Sequence, residues 1–378
     1  MSQKRDHAKK KHNTSRRRIS FMLVGHNLQI YLKTTETCNL NCKHCFTSGS
    51  QGQKVFFNPN KTLAFIEDLV ELNSVQSLRV VFHGGEPLLA SIKDLEDTAH
   101  RLKQMSKVTS LGIQTNLALD LSPRHFDFLN RYFLEFGIGT SWDADLRFGD
   151  LKKGRKPLLL QKWEENVRTL VKKGHNLTLM VCLSSYLIQN YDPQQIISYA
   201  ISLGFKNILF ERITSDGHAE DNSSIFPDNR DLDNWLHQML NQTLELKLYE
   251  KINNMFLSEM SRSFLTTTHS GNRCRSCEQQ ILTINASGTV SGCPNSATTH
   301  LYGHISDGLN KILHSPKRIN SICKEKKRHD LCQACDVRDI CNGDCYKLPW
   351  QGEVCAAPKS IMRQMATDQN YEDYEMLI

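Results

Sequence analysis

No apolar run in the 378-residue chain approaches the length needed to cross a bilayer, and no apolar stretch follows the charges near the N-terminus. A membrane helix and a secretory signal are both excluded by that absence, so a cytoplasmic location and no membrane partner are expected. The body of the chain also lacks net charge. The formal +7 is carried by residues 1–18, where Lys4, Arg5, Lys9, Lys10, Lys11, Arg16, Arg17 and Arg18 stand against Asp6, leaving 39 basic and 39 acidic residues elsewhere. Such an arm reads as a solvated, disordered terminus; the alternative is an electrostatic hold on nucleic acid or an acidic peptide leader. What the chain has in quantity is cysteine, 13 in all. In a long chain without a secretory signal, cysteines point to metal rather than disulfides. The length suits a barrel of common size plus a smaller module.

Three of the cysteines fall within eight residues, Cys38-Asn39-Leu40-Asn41-Cys42-Lys43-His44-Cys45. Three thiolates grip three corners of a cubane iron–sulfur cluster and leave the fourth iron without a protein ligand. By the logic drawn from zinc, a structural site closes its metal whereas a catalytic one keeps a position open. The alternative is a zinc site completed by a ligand from elsewhere.

Strand-like and helix-like segments alternate along the chain. The apolar alternation of Leu28 to Thr35 reads as a strand, Leu63 to Val70 as a helix, and Ser77 to His83 as a buried parallel strand. Further helices are expected at Leu95 to Met105, Pro123 to Phe133 with Ser122 as N-cap, Trp163 to Lys173 and Ile196 to Leu203. Further strands are expected at Ser110 to Asn116, Phe136 to Asp143, Leu177 to Leu183 and Ile208 to Arg212. Six such units imply an α/β fold with a parallel sheet. Asp231 to about Asn253 suggests one long amphipathic helix or two shorter ones. In a parallel barrel the C-terminal strand ends face the site, which brings Gln114, Thr115, Asn116, Ser141, Asp143, Ser184, Glu211 and Arg212 to one mouth. For Glu211 and Arg212 an internal ion pair and a substrate contact are equally open. Cys182 reads as a small core residue, and His83 as a satisfied histidine beside a turn or a proton relay.

About forty residues after the cysteine loop, the second strand ends at Gly84-Gly85-Glu86-Pro87. A glycine pair there lets backbone approach a ligand closely, and proline fixes the turn. CxxxCxxC, with the aromatic-like His44 before its last cysteine, together with this GGEP run, resembles the radical S-adenosylmethionine (SAM) enzymes. The resemblance implies a partial (β/α)6 barrel and a [4Fe-4S] cluster on Cys38, Cys42 and Cys45 whose free iron binds SAM. It implies that Gly84, Gly85, Glu86 and Pro87 form or hold the turn that meets the SAM amino group. It also implies that Asn116 and Ser141 contact the ribose and methionyl carboxylate.

Nine more cysteines lie between residues 274 and 355. Their spacing resembles SPASM, a small cysteine-rich iron–sulfur C-terminal domain. The resemblance implies one auxiliary [4Fe-4S] cluster on Cys274, Cys277, Cys293 and Cys345 and a second on Cys332, Cys335, Cys341 and Cys355. Cys323 is left over, with Cys274 as the alternative spare, and a zinc ribbon pair is the competing reading. The expected organisation is a disordered arm at 1–20, a barrel at 21–230, a helical bridge at 231–273, the cluster domain at 274–358 and a tail at 359–378. The expected function is hydrogen abstraction by a 5′-deoxyadenosyl radical from a side chain of a ribosomally made peptide or protein, giving a crosslinked or oxidised residue. The alternatives are an anaerobic sulfatase-maturing, formylglycine-generating enzyme and a nucleic-acid-modifying enzyme that uses the basic arm. A reductant such as flavodoxin or ferredoxin is an expected partner. No leader-recognition domain is expected before residue 28, so leader binding is expected to need a separate partner or another surface.

Overall fold

The computed structural model describes residues 24–47, 49–134, 137–143, 145–148, 157–266, 269, 271–296, 298–368 and 371–378. The expected arm, Phe136 and the side chain of Cys274 lie outside them. Six strands, β1 (Asn27–Lys33), β2 (Ser77–His83), β3 (Val108–Gln114), β4 (Ile138–Ser141), β5 (Leu177–Leu183) and β6 (Asn207–Arg212), run parallel in chain order. Between them lie α1 (Pro59–Val70), α2 (Ile92–Gln104), α3 (Pro123–Phe133), α4 (Leu158–Lys172), α5 (Ser185–Asn190) and α6 (Pro193–Leu203). The alternation read from the sequence is therefore the observed one.

Local chemistry sets the helix bounds. Asn58, Ser91 and Asp192 accept backbone N–H bonds from Lys61, Asp94 and Gln194, and prolines stand at the first turn of α1, α3 and α6. These caps lie upstream of the apolar pattern, so α1, α2 and α6 begin three or four residues before their expected starts. Gly204 closes α6 at φ +88°, the left-handed conformation that glycine adopts without strain.

The stretch from Asp231 to Asn253 forms one α-helix, and a second follows beyond it. Helix α7 (Asn229–Glu245) stops where Lys247 turns at φ 48°, and α8 (Met255–Leu265) starts from an Asn254 cap. Between them Asn253–Asn254 forms β7, parallel to β6. The expected bridge thus contributes a strand of its own to the barrel sheet.

On the opposite edge β8 (Ile281–Ile284) pairs parallel with β1, and β9 (Thr289–Ser291) and β10 (Gly303–His304) continue antiparallel. One ten-stranded sheet runs β10-β9-β8-β1-β2-β3-β4-β5-β6-β7. Its outward residues, among them Ile30, Leu32, Val80, Phe82, Ile138, Leu179, Val181 and Ile208, are buried to within 1% under the helices. That apolar layer leaves the inward face free for polar groups.

Candidate active site at the strand ends

Parity along the strands decides what faces inward. The ladder registers Ser141 with Met180 and Cys182 with Glu211, and these residues share a cavity wall with Tyr31, His83 and Gln114. The space, open to solvent, is about 1200 Å³. Cys38, Cys42 and Cys45 all line it, as do Gly84, Gly85, Asn116 and Ser141. The structure therefore brings those seven sequence-predicted residues together. Burial pushes the Cys38 thiol up to about 12 and the Cys42 thiol upward as well.

Backbone contacts fix the cysteine loop. Gly85 N donates to Thr35 O and Glu86 N to Thr37 O, both at 2.9 Å. A Cβ on Gly85 would stand 2.0 Å from Thr37 O and 2.9 Å from Cys38 N, so the glycine permits one loop to lie on the other. From the far side His218 N donates to Cys45 O at 2.9 Å, and Asn222 Nδ2 donates to Lys43 O.

Glu86 and Pro87 hold the turn from behind it. Neither is on the cavity wall. The Glu86 carboxylate is fully buried and accepts from Leu88 N (3.0 Å), Thr115 Oγ1 (2.7 Å) and Asn116 N (2.7 Å). It holds the end of β3 in place, and Asn116 Nδ2 then reaches Asn39 Oδ1 at 2.7 Å and Cys38 Sγ at 3.6 Å. Ser184 is likewise buried off the wall, where it caps α5 and donates to Asp145. Cys182, expected in the core, faces the cavity.

Glu211 and Arg212 do not pair with each other. Successive residues of a strand point to opposite sides, and Arg212 donates to both oxygens of Asp344 (2.6 and 2.9 Å) and to Ala356 O (3.0 Å). Glu211 faces the cavity, and burial raises its carboxyl to about 7. His83 has a partnerless, buried Nδ1 between the Tyr31 and Phe46 rings, and burial lowers it to about 4.

Sequence reasoning missed Arg147, Met180, Asp216, Pro294 and Asn295, all on the wall. Arg147 follows an irregular stretch with no motif to mark it, and its Nε donates to Asp143 at 2.9 Å. His44, Asp143 and Cys182 have ligand atoms within 4.8 Å of one another. Arg147 already supplies a positive charge to that trio, so it holds no place for a separate cation.

In the C-terminal module Cys332, Cys335, Cys341, Cys345 and Cys355 line a second cavity of about 480 Å³. Cys293 lies near enough to Cys345 for the Cys345 thiolate to disfavour its own, and burial pushes the Cys293 thiol to about 12. Cys323 is exposed and does not line that cavity. Among the described residues no disulfide forms. Clustered, mostly half-buried thiols outside any disulfide are the donor set that an iron–sulfur cluster takes, and the glycine backbone beside the Cys38–Cys45 loop leaves room for a further ligand there.

A parallel α/β partial barrel with a cysteine loop at its mouth defines the class. Residues 32–196 match the Radical SAM superfamily and residues 274–336 match SPASM, an iron–sulfur cluster-binding domain. The chain carries a radical SAM domain and a SPASM domain and is an enzyme, with [4Fe-4S] clusters and SAM as the cofactors those domains imply. The zinc readings fall with that match. Over 290 residues, 75% of this chain and 90% of the relative, it is 23% identical to an uncharacterized protein of Methanocaldococcus jannaschii. Over 133 residues, 31% of this chain and 28% of the relative, it is 27% identical to the radical SAM cyclopropyl synthase TigE of Paramaledivibacter caminithermalis. The fold resembles anSMEcpe, an anaerobic sulfatase maturase solved with SAM and a peptide, at TM-score 0.71 and 17% identity over 93% of this chain and 96% of that one. It also resembles Streptococcus suis SuiB bound to its precursor peptide SuiA, at TM-score 0.60 and 13% identity over 85% and 72%. No helix among the described residues is long and apolar enough to cross a membrane.

Proposed function

We propose that this protein modifies a side chain of a ribosomally made peptide or protein, giving a crosslinked or oxidised residue. Cys38, Cys42 and Cys45 would hold the SAM-binding cluster, and Gly84, Gly85, Asn116 and Ser141 would meet SAM. Cys274, Cys277, Cys293 and Cys345 would hold one auxiliary cluster, and Cys332, Cys335, Cys341 and Cys355 the other. When bound, the first cluster and SAM supply a 5′-deoxyadenosyl radical able to take a hydrogen atom from an unactivated carbon, with electrons from a flavodoxin or ferredoxin.

The chain's own part is enclosure and orientation. Phe46, Leu40, Met180 and Ile213 give the polar wall an apolar lining, which excludes the water that would quench a reactive centre. Glu86 fixes Asn116, and Asn116 in turn steadies Cys38 through Asn39. The observation that carries the proposal is that a single cavity is bounded on one side by the Cys38–Cys45 loop and on the other by Pro294 and Asn295, next to Cys293. A substrate in that cavity touches both cysteine fields, and a space of this size accepts a side chain with its flanking backbone. The sulfatase-maturing reading is the second, supported by the likeness to anSMEcpe along nearly the whole chain.

Anaerobic reconstitution, iron and sulfide counting and a SAM-cleavage assay test the proposal. About twelve irons per chain are expected for three cubanes, together with 5′-deoxyadenosine release that Cys42→Ala abolishes. Release untouched by that substitution overturns the ligand assignment. Mass analysis of a candidate precursor peptide against a sulfatase-derived peptide separates the two readings: loss of two hydrogens with a new crosslink supports the first, formylglycine the second.

A further inference from the structure

The cavity wall carries a carboxyl group, Glu211, that no hydrogen bond or ion pair among the described residues engages. Arg147 is neutralised by Asp143 and Arg212 by Asp344, both aspartates standing off the wall. His44 faces Asp143 at 3.9 Å, and His83, lowered to about 4 by burial, contributes no charge at neutral pH. The carboxylates left on the wall are Glu211 and Asp216, and Asp216 accepts from Ser296 Oγ at 3.0 Å. Glu211 makes no hydrogen bond or ion pair among the described residues.

Its surroundings do not welcome a bare negative charge. Glu211 is half-buried on the wall of the open cavity, and Glu259 on α8 repels it. The phenol of Tyr31 stands near enough to have its own ionisation opposed by Glu211. Arg212, the nearest cation, spends its donors on Asp344 and Ala356. A carboxylate kept in such a place costs free energy unless a ligand compensates it. Position separates it from the SAM-facing residues: Gly84, Gly85 and Asn116 follow β2 and β3, whereas Glu211 ends β6, at the other side of the parallel set.

We propose that Glu211 is a specificity residue that receives a cationic side chain, a lysine ammonium or an arginine guanidinium, of the peptide entering this cavity. The inference rests on the peptide reading above and names the side-chain class that reading leaves open. A charge-assisted hydrogen bond in a partly desolvated site is worth about tenfold or more in affinity over a neutral isostere.

The test uses holoenzyme reconstituted anaerobically, saturated with SAM and left without reductant, so that peptide binds without turnover. The immobilised enzyme is exposed to an equimolar pool of randomised heptapeptides, acetylated and amidated, containing lysine, arginine and norleucine, and the retained peptides are quantified by mass spectrometry. Wild type is expected to enrich lysine or arginine over norleucine by about tenfold. Glu211→Gln is expected to lose that bias, and Glu211→Lys to favour aspartate and glutamate, with iron content matching wild type in both. Retention of peptides with no basic bias, or the same bias in wild type and Glu211→Gln, overturns the assignment of Glu211 and leaves the peptide reading standing. Weakened SAM binding in Glu211→Gln with unchanged peptide selection also overturns it. No peptide retained by wild type overturns both.

Discussion

Breaking the Arg212–Asp344 pair from one side is expected to loosen the C-terminal cysteine module while leaving the barrel folded. The two side chains are 2% and 5% exposed, and the guanidinium reaches both carboxylate oxygens. Arg212 also donates to Ala356 O, beside Cys355, and Asp344 accepts from Cys345 N at 2.7 Å. One ion pair thus steadies two loops that carry cysteines. Asp344→Ala leaves the guanidinium buried with only a carbonyl partner, and removing one member of a buried pair costs about 3–5 kcal/mol, a large share of the roughly 5–15 kcal/mol that holds a typical domain. Replacing both members by apolar residues, as in Arg212→Met with Asp344→Leu, leaves no orphaned charge and is expected to cost well under the sum of the single changes. The assay is urea unfolding of the anaerobic holoenzyme, with iron per chain measured along the curve. Asp344→Ala is expected to release part of its iron at lower urea than wild type, before the barrel unfolds. If both single variants unfold within about 1 kcal/mol of wild type, below the cost of orphaning a buried charge, and keep their iron, the reasoning is refuted.

Three further outcomes are expected. Gly85→Ala places a methyl group 2.0 Å from Thr37 O, so the loop bearing Cys38 must shift; the variant is expected to retain less iron at that loop, and a wild-type iron count refutes the expectation. Glu86→Ala orphans the buried N–H groups of Leu88 and Asn116 and the Thr115 hydroxyl. It is expected to cost about 2–4 kcal/mol on denaturation, each orphaned donor carrying roughly 1–3 kcal/mol and the three not adding fully. His83 is lowered from 6.5 to about 4, so the unfolded chain binds its proton first as pH falls. The stability His83 contributes is full above pH 6.5 and is lost on acidification toward pH 4, by at most about 1.4 kcal/mol per pH unit. His83→Phe is expected to flatten that part of the stability profile, and an unchanged slope between wild type and variant refutes the assignment.

How much of this was legible in the sequence follows from the range of each interaction. The βα alternation is local, and each strand and helix carries its own apolar period. The cysteine loop is local too, since three ligands within eight residues need no tertiary information. The helix starts were misjudged because Ser91 and Asp192 cap upstream of the apolar pattern. The partners of Glu86 were not legible, because Thr115 and Asn116 sit about thirty residues further on, across a strand pairing that spacing does not reveal. The partner of Arg212 lies 132 residues away, and strand parity, not sequence proximity, separates it from Glu211. Cys182 looked like core because its strand is apolar throughout, and only the register with Glu211 shows which face is inward.

The pairing of Gln29 with Ile281 and of Leu32 with Ile284 stitches the C-terminal module onto the barrel's first strand. A module joined through backbone ladder bonds cannot swing on a linker without melting that seam. The spacing between the Cys38–Cys45 loop and Cys293 is therefore a constant of the architecture, indifferent to how the substrate arrives. Whatever passes between the two fields travels a fixed gap, and selection can tune its rate only by changing the residues that fill it.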